Sequence, residues 1–160
     1  MGKRTCAWII MLVFALGLLA GLGLSPLLFS QQPHTEKIII VSRDAPMPVG
    51  PYHQAVRYGD LVFLSGQIGL HPVTGALAVT TEDQTVQVME NLKAILRECQ
   101  LDFSDVVQAR IYFTNASDWD TINKVYEQYF GGVYPARAAV NVAGLPKGAK
   151  VEIEMIARVR

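Results

Sequence analysis

A run of 18 residues without a charged side chain, residues 7–24, restricts the fold of this chain more than any other feature. An apolar run of this length is sufficient for a helix that crosses the hydrocarbon core of a membrane. Lys3 and Arg4 precede the run, and basic residues on that side favour an orientation with the N-terminus inside. The sequence therefore divides into a signal peptide or N-terminal membrane anchor with its linker, residues 1–32, and a separate domain, residues 33–160.

The leader is either a cleaved signal peptide or a retained anchor. A secretory signal has an apolar region of about 7 to 15 residues followed by a small-x-small cleavage site. Here the apolar run is longer. Cleavage after residues 28–30 would place Leu28 where the first small residue of the cleavage site is required. These features favour an anchor formed by residues 7–24. Both interpretations predict an exported domain on the periplasmic or other extracytoplasmic side of a membrane.

The charge of the domain excludes several classes of protein. Lys3 and Arg4 are the only charged residues of the leader, so the other 12 basic and 14 acidic residues give residues 33–160 a net charge of −2. Proteins that bind nucleic acid neutralise phosphates with clustered Lys and Arg, and no such cluster occurs here. No His or Cys pair has metal-ligand spacing, and no phosphate-binding motif occurs. We therefore expect no nucleic-acid partner, no metal and no cofactor.

The hydrophobic periodicity of the domain predicts strands and helices in the order ββαβαββ. A short apolar strand at residues 38–41 precedes a hairpin of residues 52–58 and 61–70. Residues 81–84 have the spacing of a capping box, with Thr81 as the cap, and begin a helix that continues to about Gln100. The later elements are a strand at 104–115, a helix from 117 that Gly131 and Gly132 stop, and strands at 136–143 and 149–159.

Strands mixed with two helices indicate an α+β class, with a mixed β-sheet and both helices on one of its faces. In the last strand, Val151 and Ile153 alternate with Glu152 and Glu154, and Arg137 alternates with apolar neighbours in the preceding strand. One face of the sheet is therefore expected to be polar and to carry spaced charges. Such a face can simply be exposed to solvent, or it can contact neighbouring subunits and form a site between them.

Characteristic short motifs follow one another in order along the domain. The densest region is 134–154, which contains the sequence Tyr-Pro-Ala-Arg and, after a short strand, Gly-Leu-Pro-Lys-Gly. The earlier motifs are Gly50-Pro51-Tyr52, Ser65-Gly66-Gln67-Ile68, Pro72-Val73-Thr74-Gly75, Asn91-Leu92-Lys93-Ala94-Ile95-Leu96, and Asn123 with Tyr126, Glu127 and Phe130. Together they resemble the RidA family (YjgF/YER057c/UK114) of reactive enamine and imine deaminases. The resemblance extends from about Lys37 to Arg158 and leaves the leader outside.

The resemblance implies a chorismate-mutase-like α+β fold, a homotrimer, and active sites in clefts between subunits. Arg137 matches the family arginine that grips the substrate carboxylate, a role that suits the paired N–H donors of a planar guanidinium. Glu152 matches the glutamate associated with the attacking water, which it would orient while moving a proton. The implied reaction is hydrolysis of 2-imino acids such as 2-iminobutanoate and 2-iminopropanoate to the 2-oxo acid and ammonia, without a cofactor.

Three further residues match substrate-binding positions of the family. Tyr52 matches a tyrosine near the substrate, and Ser65 and Asn123 match positions that line the cleft. One departure stands at Ala139, because many deaminase-active members have Cys two residues after the arginine. Water attack on an imine needs no thiol, so this departure bears on substrate preference more than on activity.

Two other functions fit parts of the pattern. An exported trimer could hold a small carboxylate or a partner protein in the same cleft without turnover. Arg137 would be needed in both cases, whereas Glu152 would be needed only for catalysis. Some relatives carry an endoribonuclease label, but the net charge of −2 and the absence of a basic stripe make RNA cleavage the least favoured function.

Overall fold

A computed structural model describes residues 36–160, and the predicted leader, including residues 7–24, lies outside the described residues. Within them the chain forms six strands and two α-helices. The strands are β1 (Lys37–Ile40), β2 (Ala55–Tyr58), β3 (Leu61–Ile68), β4 (Val106–Phe113), β5 (Ala136–Asn141) and β6 (Val151–Arg158), and the helices are α1 (Thr81–Glu98) and α2 (Trp119–Glu127). The order is βββαβαββ: the short strand predicted at residues 38–41 is β1, which pairs with β2 along its whole length and so adds a third strand before α1 to the predicted order ββαβαββ.

The six strands form one mixed sheet in the order β1-β2-β3-β6-β4-β5. All neighbours are antiparallel except β4 and β5, which run parallel and are joined through α2. A parallel pair requires such a crossover, because a tight turn can join only antiparallel strands. This topology makes β5 an edge strand and places β6 in the interior of the sheet.

The ends of the elements differ from the sequence pattern where short turns intervene. A 3₁₀ helix, Phe103–Asp105, precedes β4, and another, Ala116–Asp118, precedes α2, so both elements begin two residues later than predicted. After α2 the chain turns at Gly131 and Gly132, whose φ angles of +57° and +92° favour glycine. The predicted hairpin of β2 and β3 is confirmed, with Gly59 in its turn at a φ of +63°.

Helix α1 begins as an N-capped helix, but the predicted capping box is displaced by one residue. Thr80, and not Thr81, is the cap: its hydroxyl oxygen accepts a hydrogen bond of 3.1 Å from the backbone N–H of Asp83. Gln84, which the predicted box assigned to the helix start, is buried instead and accepts a 2.8 Å hydrogen bond from the backbone N–H of Lys150. The capping prediction was wrong because the Gln84 side chain is buried and bonded to Lys150, and is therefore not available to the start of the helix.

Both helices pack on one face of the sheet, as predicted, and enclose the apolar core between the two layers. The core includes Val62 and Leu64 of β3, Leu92 and Ile95 of α1, Ile111 of β4, Ile122 of α2, and Val151 and Ile153 of β6. No helix formed by residues 36–160 covers the opposite face of the sheet, and Phe63 and Val140 on that face are 43% and 48% exposed. No helix within residues 36–160 combines the length and the apolar character that a membrane span requires.

Candidate active site

Arg137 lies on edge strand β5, on the side of the sheet that the helices cover. The strand pairs with β4 so that Arg137 stands beside Ala109, which is fully buried in the core. The guanidinium carbon is 5.1 Å from the ring centre of Trp119 and 5.0 Å from that of Tyr126. Among the described residues, no carboxylate lies within ion-pair distance of this guanidinium. Its N–H donors are therefore not committed to an acidic partner there.

Asn123 shares a surface recess with Arg137. Asn123 lies on α2, one turn after Trp119 and one turn before Tyr126, on the face of the helix that meets β5. We call this recess the arginine surface. It is lined by Asn123, Tyr126, Glu127, Tyr134, Pro135 and Arg137.

Glu152 lies on interior strand β6 and points away from the helices. Its neighbours Val151 and Ile153 are fully buried in the core, so alternation along the strand places Glu152 on the uncovered face. There it lines a cavity of about 330 Å³. We call this cavity the glutamate cleft. Its polar lining includes Tyr52, Ser65, Gly66, Glu152 and Glu154, and its apolar walls include Pro46, Met47, Val49, Ile68 and Pro146.

The electrostatic setting of Glu152 favours its protonated form. Burial raises the pKa of this carboxyl above the ordinary glutamate value, and the negative charge of Glu154 raises it further. Glu154 has its own partners on β4: Arg110 donates to it at 2.5 Å, and the Tyr112 hydroxyl lies 3.5 Å from the same oxygen. The cleft therefore combines a carboxyl of raised proton affinity with a second, ion-paired carboxylate.

The backbone of β3 approaches Glu152 closely at Gly66. The register between β3 and β6 shifts between Leu64 and Gln67, which places a bulge at Ser65 and Gly66. A β-carbon added at Gly66 would lie 2.0 Å from the Oε1 atom of Glu152. Only glycine therefore leaves the Glu152 carboxylate in its observed position.

Tyr52 and Ser65 reach the glutamate cleft, but both also support the local backbone. The Ser65 hydroxyl donates a 2.7 Å hydrogen bond to the carbonyl oxygen of His53. The Tyr52 hydroxyl accepts a weak hydrogen bond of 3.4 Å from the backbone N–H of Val49. Ser65 can thus offer a ligand its oxygen lone pairs, while Tyr52, at 42% exposure, presents its ring.

Arg137 and Glu152 lie on opposite faces of the sheet in one copy of the chain. The expectation of a single polar face that carries both charges is wrong, because the parallel pairing of β5 turns Arg137 toward α2 and turns Ala138 and Val140 to the uncovered face. The predicted site residues consequently form two groups. Tyr52, Ser65 and Glu152 meet in the glutamate cleft, and Asn123 and Arg137 meet at the arginine surface.

Residues 42–159 match the family model described as Endoribonuclease L-PSP. The chain belongs to this family, which is the RidA/YjgF family. The match includes both the arginine surface and the glutamate cleft. The mixed α+β fold is likewise that of solved RidA/YjgF structures.

Individual relatives of the RidA/YjgF family are similar over most of the domain. A RutC family protein of Pyrococcus horikoshii is 43% identical over 122 residues, which is 76% of this chain and 97% of that protein. The 2-iminobutanoate/2-iminopropanoate deaminase of Bos taurus is 42% identical over 120 residues, 74% of this chain and 88% of that protein. The crystal structure of E. coli TdcF with bound serine is 40% identical, with a TM-score of 0.74 over 77% of this chain and 99% of that one.

Two residues of this RidA/YjgF domain shape the glutamate cleft without having been predicted to do so. The sequence contains a signal for Gly66, because a glycine inside a strand often marks a bulge or a close approach of another group. Gln54 has no such signal. Its side chain is 1% exposed, donates to the carbonyl oxygens of Ser42, Ala45 and Pro46, and accepts from the Ser42 N–H, so it holds the loop that walls the cleft.

The described residues include two side chains suited to chemistry on a small carboxylate. The guanidinium of Arg137 suits a carboxylate, and the carboxyl of Glu152 suits the binding and deprotonation of a water. Ala139, where the sequence departs from the expected family pattern, packs against the core on the Arg137 side of β5. Within residues 36–160, no three His, Cys, Asp or Glu side chains lie close enough together to share a metal ion.

Proposed function

We propose that this protein is a hydrolytic deaminase of 2-imino acids such as 2-iminobutanoate and 2-iminopropanoate, with active sites formed between copies of the chain in a homotrimer. The observation that carries the proposal is the separation of the two charged groups. A guanidinium that has no acidic partner among the described residues and a half-buried carboxyl of raised pKa lie on opposite faces of one sheet. A neighbouring copy that brings its arginine surface against the glutamate cleft would complete the site.

Arg137 is the residue that would bind the substrate carboxylate. A guanidinium presents two parallel N–H donors that match the two oxygens of a carboxylate, and it stays charged at every working pH. The guanidinium carbon lies 5.1 Å and 5.0 Å from the ring centres of Trp119 and Tyr126, and no carboxylate among the described residues pairs with its N–H donors. Asn123, on the same surface, supplies an amide that can donate to the same ligand.

Glu152 is the residue that would handle water. As a carboxylate it accepts one proton from the water whose oxygen forms a bond to the imine carbon, and it passes that proton to the nitrogen to give a carbinolamine. It then takes the remaining hydroxyl proton and passes it to the same nitrogen, as the carbon–nitrogen bond breaks and the carbon–oxygen double bond forms. The products are the 2-oxo acid and ammonia. A raised pKa suits both halves of this cycle, because a general acid-base group works best when its pKa lies near the working pH.

The relatives support this choice of substrate. The Bos taurus relative is named for the deamination of 2-iminobutanoate and 2-iminopropanoate, and the E. coli relative holds serine, which is a small compound with a carboxylate. A substrate of that size needs few contacts, since positioning of a carboxylate, an electrophilic carbon and one water supplies much of the rate increase.

The test separates binding from turnover. Imine disappearance is measured while an amino-acid dehydratase or oxidase generates the imine, and binding of 2-oxobutanoate is measured separately. Glu152→Gln should lower turnover by roughly 10²-fold while leaving binding nearly intact. Arg137→Ala should abolish both, and Arg137→Lys should lose most activity because the paired geometry is lost. Glu98→Gln, a charge removal on the exposed end of α1, is the matched control.

The alternatives make different predictions in the same experiment. A wild-type chain that binds 2-oxobutanoate through Arg137 but hydrolyses no imine would be a non-catalytic binding module. Full activity in Glu152→Gln would contradict the role of that residue. Cleavage of RNA by the wild type, lost in Glu152→Gln, would favour the endoribonuclease activity that the family description names.

We also infer that residues 7–24 carry the domain across a membrane, with the N-terminus inside, and remain attached as an anchor. The inference is supported by Lys3, Arg4 and the uncharged run that follows them. The full-length chain should pellet with membranes, its domain should be digested by protease added outside the inner membrane, and its N-terminal sequence should begin at Met1. A protected, soluble domain would contradict export, and a new N-terminus near residue 31 would contradict retention.

A further inference from the structure

Two aromatic rings of α2 hold the guanidinium of Arg137. Trp119 and Tyr126 are seven residues apart, so they lie on the same face of the helix. Their ring centres are 5.1 Å and 5.0 Å from the guanidinium carbon, inside the distance of about 6 Å at which a cation and a ring face attract each other. The cation therefore contacts two rings at once.

The rings themselves are held by further aromatic contacts. The Tyr126 ring lies 4.5 Å from that of Phe130, and the Trp119 ring lies 5.7 Å from that of Phe113. Tyr126 is also fully buried within the core. A guanidinium that contacts these rings is consequently placed against a rigid support, although its own strand is at the edge of the sheet.

Tyr126 contacts the cation through its ring and not through a charged oxygen. Burial raises the pKa of its hydroxyl to about 12, and the positive charge of Arg137 opposes that rise. The hydroxyl stays protonated at neutral pH, and it is buried without a hydrogen-bond partner among the described residues. The arrangement thus excludes a phenolate that would compete with a substrate carboxylate for the guanidinium.

We propose that Trp119 and Tyr126 are positioning residues that orient the Arg137 guanidinium so that its N–H edge faces the substrate carboxylate. The proposal rests on the proposed function of Arg137. An arginine side chain has several rotatable bonds, and fixing it costs free energy whenever a ligand binds. Attraction to two rigid rings reduces that cost in advance, which strengthens carboxylate binding without adding a contact to the substrate.

The first test is spectroscopic and does not depend on turnover. The chain contains two tryptophans, Trp8 and Trp119, so the full-length Trp8→Phe variant reports on Trp119 alone. Its emission spectrum is compared with that of the double variant Trp8→Phe/Arg137→Met and is followed during titration with 2-oxobutanoate. We expect Arg137→Met to change the emission maximum or intensity, and 2-oxobutanoate to change the emission only where Arg137 is present. Identical spectra with and without Arg137 would overturn the proposal.

The second test is kinetic. Trp119→Leu removes the ring face and should raise KM by roughly 5- to 10-fold, with kcat within about 2-fold, because the lost interaction serves carboxylate binding in the ground state and the transition state alike. Trp119→Phe restores an aromatic face and should recover most of that loss. Tyr129→Leu is the control, since it removes a partly buried ring that contacts Phe103 and not Arg137.

The outcomes of the two tests separate this proposal from the function on which it rests. A loss of kcat at constant KM in Trp119→Leu, or an equal rise of KM in Tyr129→Leu, would overturn the positioning role. A chain that hydrolyses no imine but shows the Arg137-dependent emission change would retain the positioning role for carboxylate binding while the proposed deaminase activity fails. If Trp119→Leu does not fold, the emission comparison decides alone, because it keeps Trp119 in place.

Discussion

The arginine surface lies at the edge strand β5, whereas the glutamate cleft is built around the interior strand β6. The first presents a cation supported by aromatic ring faces, and the second presents a half-buried carboxyl beside a second carboxylate. The two regions lie on opposite faces of the sheet. If one substrate meets both, its carboxylate and its reactive carbon are recognised by different copies of the chain, and a single copy is catalytically incomplete.

The two regions also fix their charged groups by different means. Arg137 is held by side chains, the rings of Trp119 and Tyr126, which belong to a helix packed on the core. Glu152 is held by backbone, because the bulge at Gly66 leaves room for its carboxylate and for nothing larger. Exchange of one aromatic residue for another should consequently preserve the function of the arginine surface. Any side chain added at Gly66, by contrast, should displace the Glu152 carboxylate in the glutamate cleft.

The largest expected effect is the rescue of two inactive variants by each other. Arg137→Ala and Glu152→Gln should each lose about 10²-fold or more of the activity when expressed alone. In a trimer whose sites take Arg137 from one subunit and Glu152 from its neighbour, random mixing in equal amounts leaves about one quarter of the sites intact. We therefore expect co-expressed variants to recover about a quarter of wild-type imine hydrolysis.

The control for this rescue is the double variant Arg137→Ala/Glu152→Gln co-expressed with either single variant, which contains no intact site. If the co-expressed single variants stay as inactive as each alone, the two residues act within one copy of the chain. Light scattering on the same samples determines the oligomeric state, and a monomer at micromolar concentration would contradict a site between subunits.

Gly66→Ala should remove most of the turnover and little of the stability. The added β-carbon would meet the far end of the flexible Glu152 side chain, which can move aside, so the fold survives while the carboxylate leaves its place. We expect turnover to fall by roughly 10- to 100-fold, as for loss of a general acid-base group, with the circular dichroism spectrum and melting temperature nearly unchanged. Gly144→Ala is the matched control, because nothing lies within 4 Å of a β-carbon added there. Unchanged turnover in Gly66→Ala would show that the observed position of Glu152 is not the catalytic one.

The sequence predicted those parts of the molecule that depend on local periodicity. The alternation of Val151 and Ile153 with Glu152 identified the buried and open sides of β6, and the apolar period of α1 identified its core face. The side taken by Arg137 could not be predicted in this way, because it depends on the parallel pairing of β5 with β4, an element distant in sequence. The approach of Glu152 to Gly66 likewise depends on a register shift between two strands that are far apart along the chain.

Gln54→Ala should destabilise the glutamate cleft more than the arginine surface. The variant leaves buried backbone groups of Ser42 and Ala45, and the partly buried carbonyl of Pro46, without partners, which costs about 2 to 4 kcal/mol of the free energy of unfolding. KM should rise because the loop walls the cleft, while the emission of Trp119 should stay the same. Chemical denaturation measures the stability, and Gln128→Ala, an exposed change, should stay within about 0.5 kcal/mol of wild type. An equal loss in both variants would contradict the bracing role of Gln54.

The smallest expected effect is a shift in the pH dependence, which should involve Glu152 and not Arg137. Burial and the charge of Glu154 raise the pKa of Glu152, so the acid limb of kcat/KM should have its midpoint above the ordinary glutamate value of about 4.3. Glu154→Gln removes the like charge and should move this midpoint to lower pH, whereas Arg110→Gln leaves the Glu154 charge uncompensated and should move it to higher pH. Because the folded state binds this proton more tightly than the unfolded chain does, the stabilisation it confers is complete at low pH and is lost as the pH rises through the folded pKa. The free energy of unfolding of Glu152→Gln should therefore fall less than that of the wild type between acidic and neutral pH. Movement of the acid limb of kcat/KM in the same direction in Glu154→Gln and Arg110→Gln would contradict the electrostatic origin of the raised pKa.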